Sequence, residues 1–164
     1  MRKLRDWDGF LLGESCLPGP RANLELVDAV AEEGNQDLFM RYLSFDAGKA
    51  PVGSSCEFLA ICGVVGLGRL LAEGNEELLS TLRKFASDSR WRVREAVAIA
   101  LQRFGEVNMG GLLTEMMEWS EGSLLEKRAV VAAICEPRLL CQDDEVHRVM
   151  QVLDRITYDL QNYG

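Results

Sequence analysis

Apolar positions recur at helical spacing along most of this 164-residue chain. We find no segment with the strict apolar–polar alternation, bounded by hairpin turns, that is typical of β-strands. Two stretches rich in proline, glycine and serine interrupt the helical pattern, LPGP at 17–20 and DAGKAPVGSS at 46–55. The pattern therefore predicts an all-α fold of several helices joined by short connections.

The apolar pattern also repeats, with a period of about 33 to 40 residues. Each repeat opens with two neighbouring apolar residues, and a third apolar residue follows about one helical turn later. These clusters begin at Leu38, Leu78, Leu112 and Val149. Asparagine, a favoured helix N-cap because its side chain accepts a bond from a free N–H of the first turn, precedes three of them. The asparagines are Asn35, Asn75 and Asn108.

A second helix follows each of the first three clusters, at roughly 55–73, 90–105 and 123–136. Two of these helices carry capping-box spacing, in which a serine and a glutamate three residues later bond reciprocally. The pairs are Ser54 with Glu57 and Ser123 with Glu126. Each repeat is therefore expected to be a helical hairpin.

The chain as a whole is expected to form a single domain, 1–164, of stacked hairpins. The hairpins are predicted at 35–73, 75–105 and 108–138, with the start of a further one at 143–161. Two amphipathic segments within 1–33 are expected to cap the N-terminal end. Their apolar faces comprise Leu4, Trp7 and Leu11, then Leu24, Val27, Val30 and Ala31. Because no second helix follows residue 161, the sequence has the pattern of a piece of a longer array.

The stretch DSRWRVREAVAIAL, residues 88–101, combines three arginines with a strongly helical pattern. On a helix starting at residue 90, five apolar residues share one face. They are Val93, Val97, Ala100, Leu101 and Phe104. Arg92, Glu95, Gln102 and Arg103 lie off that face. The stretch is therefore predicted to be an amphipathic helix with one buried side.

This stretch resembles the loop and second helix of a HEAT repeat, whose pattern runs Asp, turn residues, Val-Arg and alanine-rich residues ending in Ala-Leu. The matching residues are Asp88, Val93, Arg94, Ala96, Ala98, Ala100 and Leu101. The resemblance implies a right-handed αα-superhelix, or solenoid, of about three to four hairpins whose second helices line a concave binding face. It also implies that Asp88 and Arg94 belong to a polar ladder between neighbouring repeats. The next repeat has Glu126-Lys127 in place of Val-Arg.

Charge is unevenly distributed along the chain. The net charge is −8, which argues against general nucleic-acid binding. From Arg83 to Arg103, however, six basic and two acidic side chains give a local charge of +4. Two interpretations stay open: a solvated helix face with one ladder arginine, or a cationic stripe on the concave face. The candidate binding residues are Arg90, Trp91, Arg92, Glu95 and Arg103.

The residues that carry catalysis or bind metals are sparse. His147 is the one histidine, and no nucleophile–base arrangement is recognisable around it. The five cysteines include no CxxC pair, so neither a zinc site nor a disulfide framework is expected, and a reducing, cytoplasmic location is inferred. The glycines of GVVGLG at 63–68 are interpreted as allowing close helix packing. We therefore expect no catalytic residue, no metal and no cofactor, and no apolar run is long enough to span a membrane.

These observations favour a non-enzymatic protein-interaction or scaffold module that uses the concave face, with a partner that the sequence does not identify. The alternative is a DNA-binding protein similar to the DNA-alkylation-repair glycosylases built from HEAT-like repeats. In that case Arg90, Trp91, Arg92 and Arg103 would line the DNA groove. Self-association of the array end to end is a third possibility.

Overall fold

The computed structural model of the protein describes residues 7–162. Within this range the chain forms nine α-helices and no strand, which confirms the predicted all-α fold. The helices are α1 (Trp7–Glu14), α2 (Leu24–Glu33), α3 (Gln36–Leu43), α4 (Glu57–Ala72), α5 (Leu79–Phe85), α6 (Trp91–Val107), α7 (Met109–Trp119), α8 (Leu124–Ile134) and α9 (Asp143–Gln161). Short 3₁₀ turns at Glu76–Leu78 and Pro137–Leu139 precede α5 and α9.

Several helix starts follow the capping residues seen in the sequence. The Asn35 side chain accepts a hydrogen bond from the Leu38 N–H at 2.9 Å, and Asn108 accepts one from the Gly111 N–H at 2.8 Å. Both bonds of the capping box predicted between Ser123 and Glu126 are formed at the start of α8. These polar side chains therefore begin α3, α7 and α8, as expected.

Two expected caps are not formed. Asn75 makes no side-chain capping bond and leads into a 3₁₀ turn. The predicted Ser54–Glu57 box is wrong, because Ser54 lies in a turn and its hydroxyl donates to the Pro51 carbonyl at 2.7 Å. Glu57 is instead the first residue of α4, and its carboxylate accepts a bond from the Gly53 N–H at 2.8 Å.

Helix α4 lies at the centre of the molecule. Its sequence is apolar on every side, and only Arg69 and Ala72 among its residues are not fully buried. Helices α1, α2, α3, α5 and α6 all pack against it. The contact with α6 is so close that a Cβ at Gly68 would lie 2.5 Å from the Ala100 Cα. The glycine-rich segment of α4 therefore serves helix packing.

The second helices of the hairpins pack in series, α4 against α6 and α6 against α8. Within the hairpins α3 packs on α4, α5 on α6 and α7 on α8, while α9 contacts α7 and α8. The second helices begin and end within two residues of their expected boundaries. None of the helices within residues 7–162 combines the length and apolar character needed to cross a bilayer.

The N-terminal segments agree in part with expectation. Leu11, Val27, Val30 and Ala31 are buried, as their positions on apolar faces predicted. Leu24 is 53% exposed, so its assignment to the buried face was wrong; it stands at the first position of α2, beside a surface groove. Leu4 lies outside the described residues.

Candidate functional site

The turn before α6 is built around Arg90. Its guanidinium forms a bidentate ion pair with the Asp88 carboxylate, at 2.9 and 2.8 Å, and donates to the carbonyls of Phe45 and Ala50 at 2.7 and 3.3 Å. The residue is only 1% exposed. The assignment of Arg90 to a binding surface was therefore wrong, because its guanidinium is fully engaged in tying the 46–55 loop to the start of α6.

Asp88 and Arg94 meet in the same turn. Nη1 of Arg94 donates to the backbone carbonyls of Asp88 and Ser89, at 2.7 and 3.1 Å, while the Asp88 carboxylate pairs with Arg90. Burial alone would raise the pKa of Asp88, but the hydrogen bonds from Arg90 outweigh it and hold the pKa below its ordinary value. Both residues therefore stabilise this turn, with Arg90 as the partner of the carboxylate.

Arg92 joins α6 to two other parts of the chain. Its guanidinium donates to the Gly19 carbonyl at 2.8 Å and approaches the fully buried Glu57 carboxylate at 3.4 Å. It also lies over the Trp91 ring, 4.4 Å from the centroid. The bonds to Gly19 and Glu57 restrain Arg92, and its contact with the Trp91 ring favours the observed position of that side chain.

Arg103, about three turns after Arg92 along α6, contacts α2. Its guanidinium pairs with Asp28 at 2.9 Å and with Glu32 at 2.7 Å. Glu95 pairs with Arg128 of α8. Both residues therefore connect α6 to neighbouring helices, whereas the sequence analysis considered them only as contacts for a partner.

A groove of about 350 Å³ lies beside the first two turns of α6, and we call it the α6 groove. Its lining residues are Trp91, Arg92, Glu95, Ala96 and Ile99 from α6, Pro20, Arg21, Ala22 and Leu24 from the segment entering α2, and Ile61 of α4. Trp91 is 45% exposed at its edge. Most of the lining residues are apolar, and the charged ones are Arg21, Arg92 and Glu95.

The structure thus brings together three of the candidate binding residues, Trp91, Arg92 and Glu95. The sequence analysis missed Arg21 and Ile61, which complete the groove from other segments. Arg21 carried no helical pattern, and Ile61 lies in a helix that is apolar all round. No signal in the sequence separated them from ordinary surface and core residues, because their role depends on contacts between distant segments.

The basic stripe of residues 83–103 is largely neutralised within the protein. Four of its six cations pair with carboxylates: Arg83 with Glu126, Arg90 with Asp88, Arg92 with Glu57, and Arg103 with Asp28 and Glu32. Arg94 is bonded to backbone carbonyls. These pairs favour the structural interpretation of the stripe over a phosphate-binding one.

The chemistry of the α6 groove is set by the side chains that line it. Among residues 7–162, no three His, Cys, Asp or Glu side chains converge in a way that could hold a metal ion. The groove offers apolar walls, the edge of one indole and the cations of Arg21 and Arg92. Comparisons of the chain with protein-family models, curated proteins and solved structures give no match, so the site is interpreted from its own geometry.

Proposed function

We propose that this chain is a non-enzymatic protein-interaction module, a right-handed αα-superhelix of stacked HEAT-like hairpins that binds a protein partner in the α6 groove. The serial packing of α4, α6 and α8 supports the stacked arrangement, because each second helix covers one face of the next. The groove would then lie on the face lined by second helices, with α2 at its edge.

One observation carries the proposed binding role, the combination of Trp91 and Arg92 at the edge of an apolar groove. Tryptophan and arginine dominate the energetics of protein interfaces, above all beside a pocket that can be desolvated. Here Arg92 is already held by Gly19 and Glu57, so little side-chain entropy would be lost when a partner binds. The groove is therefore organised before a partner arrives.

DNA binding has less support. A protein that neutralises phosphates needs free cations, and most of those around α6 are paired with carboxylates. No single feature of the groove favours a nucleic acid over a protein.

Site-specific photo-cross-linking in native cells tests the proposal. A photoreactive residue at Leu24, on the edge of the groove, should capture a discrete protein, and the same residue at Val107, a still more exposed position at the end of α6, should not. The capture should be lost when Trp91→Ala is added. Identical products from both positions, or capture that persists with Trp91→Ala, would count against the α6 groove as the binding site.

A further inference from the structure

A second groove lies between α1 and α2, and its volume is about 550 Å³. We call it the N-terminal groove. Its lining residues are Trp7, Phe10 and Leu11 of α1 and Leu26, Ala29, Val30 and Glu33 of α2. All but one are apolar, and Phe10 is 62% exposed. An apolar groove of this size with an exposed phenylalanine in its wall is a candidate interaction site.

The spacing of these residues gives the groove the shape of a seat for a helix. On α1 the lining positions are 7, 10 and 11, and on α2 they are 26, 29, 30 and 33. Both sets follow the i, i+3, i+4, i+7 spacing of one helix face. Two such faces side by side form a trough that can receive the apolar face of a third helix.

The wall formed by α1 is held in place without an occupant. The Asp8 carboxylate accepts hydrogen bonds from Arg41 at 2.6 and 2.9 Å and from the Tyr42 hydroxyl at 2.8 Å, both on α3. At the other end of α1, the Asn23 side chain donates to the Glu14 carbonyl at 3.0 Å. The wall formed by α2 is held by Arg103 of α6. The groove is therefore preformed.

The charge of the two walls points to the chemistry of the occupant. Helices α1 and α2 together carry six acidic side chains and no lysine or arginine. Asp8, Asp28 and Glu32 are paired with arginines from α3 and α6. The other three, Glu14, Glu25 and Glu33, make no ion pair within residues 7–162, and Glu33 lines the groove itself. An occupant with positive charges along its edges would complement this arrangement.

We propose that the N-terminal groove binds a basic amphipathic helix of a protein partner. The helix would place apolar residues at i, i+3, i+4 and i+7 against Phe10, Leu26 and Val30, with lysine or arginine on its flanks near Glu33. A second copy of this chain fits less well, because its net charge is −8. An anionic membrane surface would be repelled by the same carboxylates.

A defined peptide provides the test. The probe is a 16-residue peptide with leucine at the helical a, d and e positions and lysine elsewhere, and its control is a scrambled peptide of the same composition. We expect the patterned peptide to bind the full chain in calorimetry and the scrambled one to bind at least about tenfold more weakly, since only the first can present an apolar face.

Two pairs of variants locate the binding. Phe10→Ala should weaken the patterned peptide about tenfold, whereas Leu160→Ala, which truncates a comparably exposed side chain on α9, should leave its affinity unchanged. Glu33→Gln should weaken binding more than Glu118→Gln, which removes an exposed carboxylate from α7. Binding should persist with Trp91→Ala, because that residue belongs to the α6 groove. Absence of binding, equal affinity for both peptides, or equal effects within either pair would overturn the proposal.

Discussion

Arg90 combines a full charge with almost complete burial, and its neighbours explain how this is tolerated. The guanidinium loses its hydration but gains two charge-assisted bonds to Asp88 and two bonds to the carbonyls of Phe45 and Ala50, one just before and one within the 46–55 loop. A buried charge of this kind is stable only while each partner is present. The pair therefore specifies how the loop docks against α6.

We expect Arg90→Ala to lower the free energy of unfolding by about 3–5 kcal/mol, because it removes the guanidinium that donates to the Asp88 carboxylate and to two backbone carbonyls. Arg138→Ala is the matched control, since Arg138 is 64% exposed and its ion pairs should contribute about 0–1 kcal/mol. Urea denaturation of both variants measures the difference. Similar losses in the two would show that burial of Arg90 is not what matters.

The same pair predicts a pH dependence. The pKa of Asp88 lies below its ordinary value of 3.8 in the folded protein, so the ionised carboxylate stabilises the fold above that pH. This stabilisation is lost as the pH falls through the lower, folded-state pKa. The free energy of unfolding should therefore decrease below about pH 4, and the decrease should be shallower in Asp88→Asn. Urea denaturation at several pH values across this range measures both dependences. If the free energy of unfolding decreased equally steeply in the unmodified protein and in Asp88→Asn, the stabilising role assigned to the Asp88 carboxylate would be refuted.

The local fold around Arg90 also shows what the sequence could not predict. A helical wheel begun at residue 90 found the buried face of α6 correctly, from Val93 to Phe104. Arg90 itself is the N-cap and has an extended backbone (φ −84°, ψ 118°). A helical wheel therefore does not give the direction of its side chain, which is buried in the protein. Its partners Phe45 and Ala50 are 45 and 40 residues away in the chain, and periodicity carries no information about such contacts.

At the scale of single elements, α4 differs from the other helices because neighbours cover every side of it. Its sequence was interpreted as a helix with packing glycines, and the structure shows the contacts that require them: Gly66 faces the Phe39 ring and Gly68 faces the Ala100 backbone. The glycines at 63–68 predicted close helix packing, but not which helices pack against α4. The burial of α4 depends on how α1 and α2 pack against it, and the sequences of α1 and α2 do not specify that packing.

Two glycine substitutions test this packing. Gly68→Ala should destabilise the protein by about 1–3 kcal/mol, because the new methyl meets the Cα and carbonyl oxygen of Ala100, which cannot move without α6. Gly9→Ala in α1 meets nothing within 4 Å and should stabilise by up to about 1 kcal/mol through helix propensity. Thermal unfolding compares the two. If Gly68→Ala stabilised the protein, α4 and α6 would have to lie further apart than the structure places them.

For the whole molecule, the distribution of charge predicts weak affinity for nucleic acids. The net charge is −8, and the cations of α6 are mostly paired. We expect binding to duplex DNA near physiological salt to be weaker than about 10⁻⁴ M, the weak end of the non-specific range. Fluorescence anisotropy at two salt concentrations measures it. Micromolar binding that disappears with Arg21→Glu and Lys84→Glu, two exposed residues without an ion pair in residues 7–162, would favour the DNA alternative.

The near-complete burial of α4 determines which parts of the protein can unfold separately. In a linear array each hairpin touches only its neighbours, so hairpins can unravel one at a time. Here five helices converge on α4, and none of them can detach without exposing its apolar surface. Amide hydrogens of α4 should therefore exchange with solvent only through global unfolding, whereas those of α9, which packs mainly on α7 and α8, should exchange through local openings of lower free energy. Native-state hydrogen exchange at increasing urea would then show one cooperative N-terminal unit extending to α6, followed by a C-terminal part that opens and recloses independently.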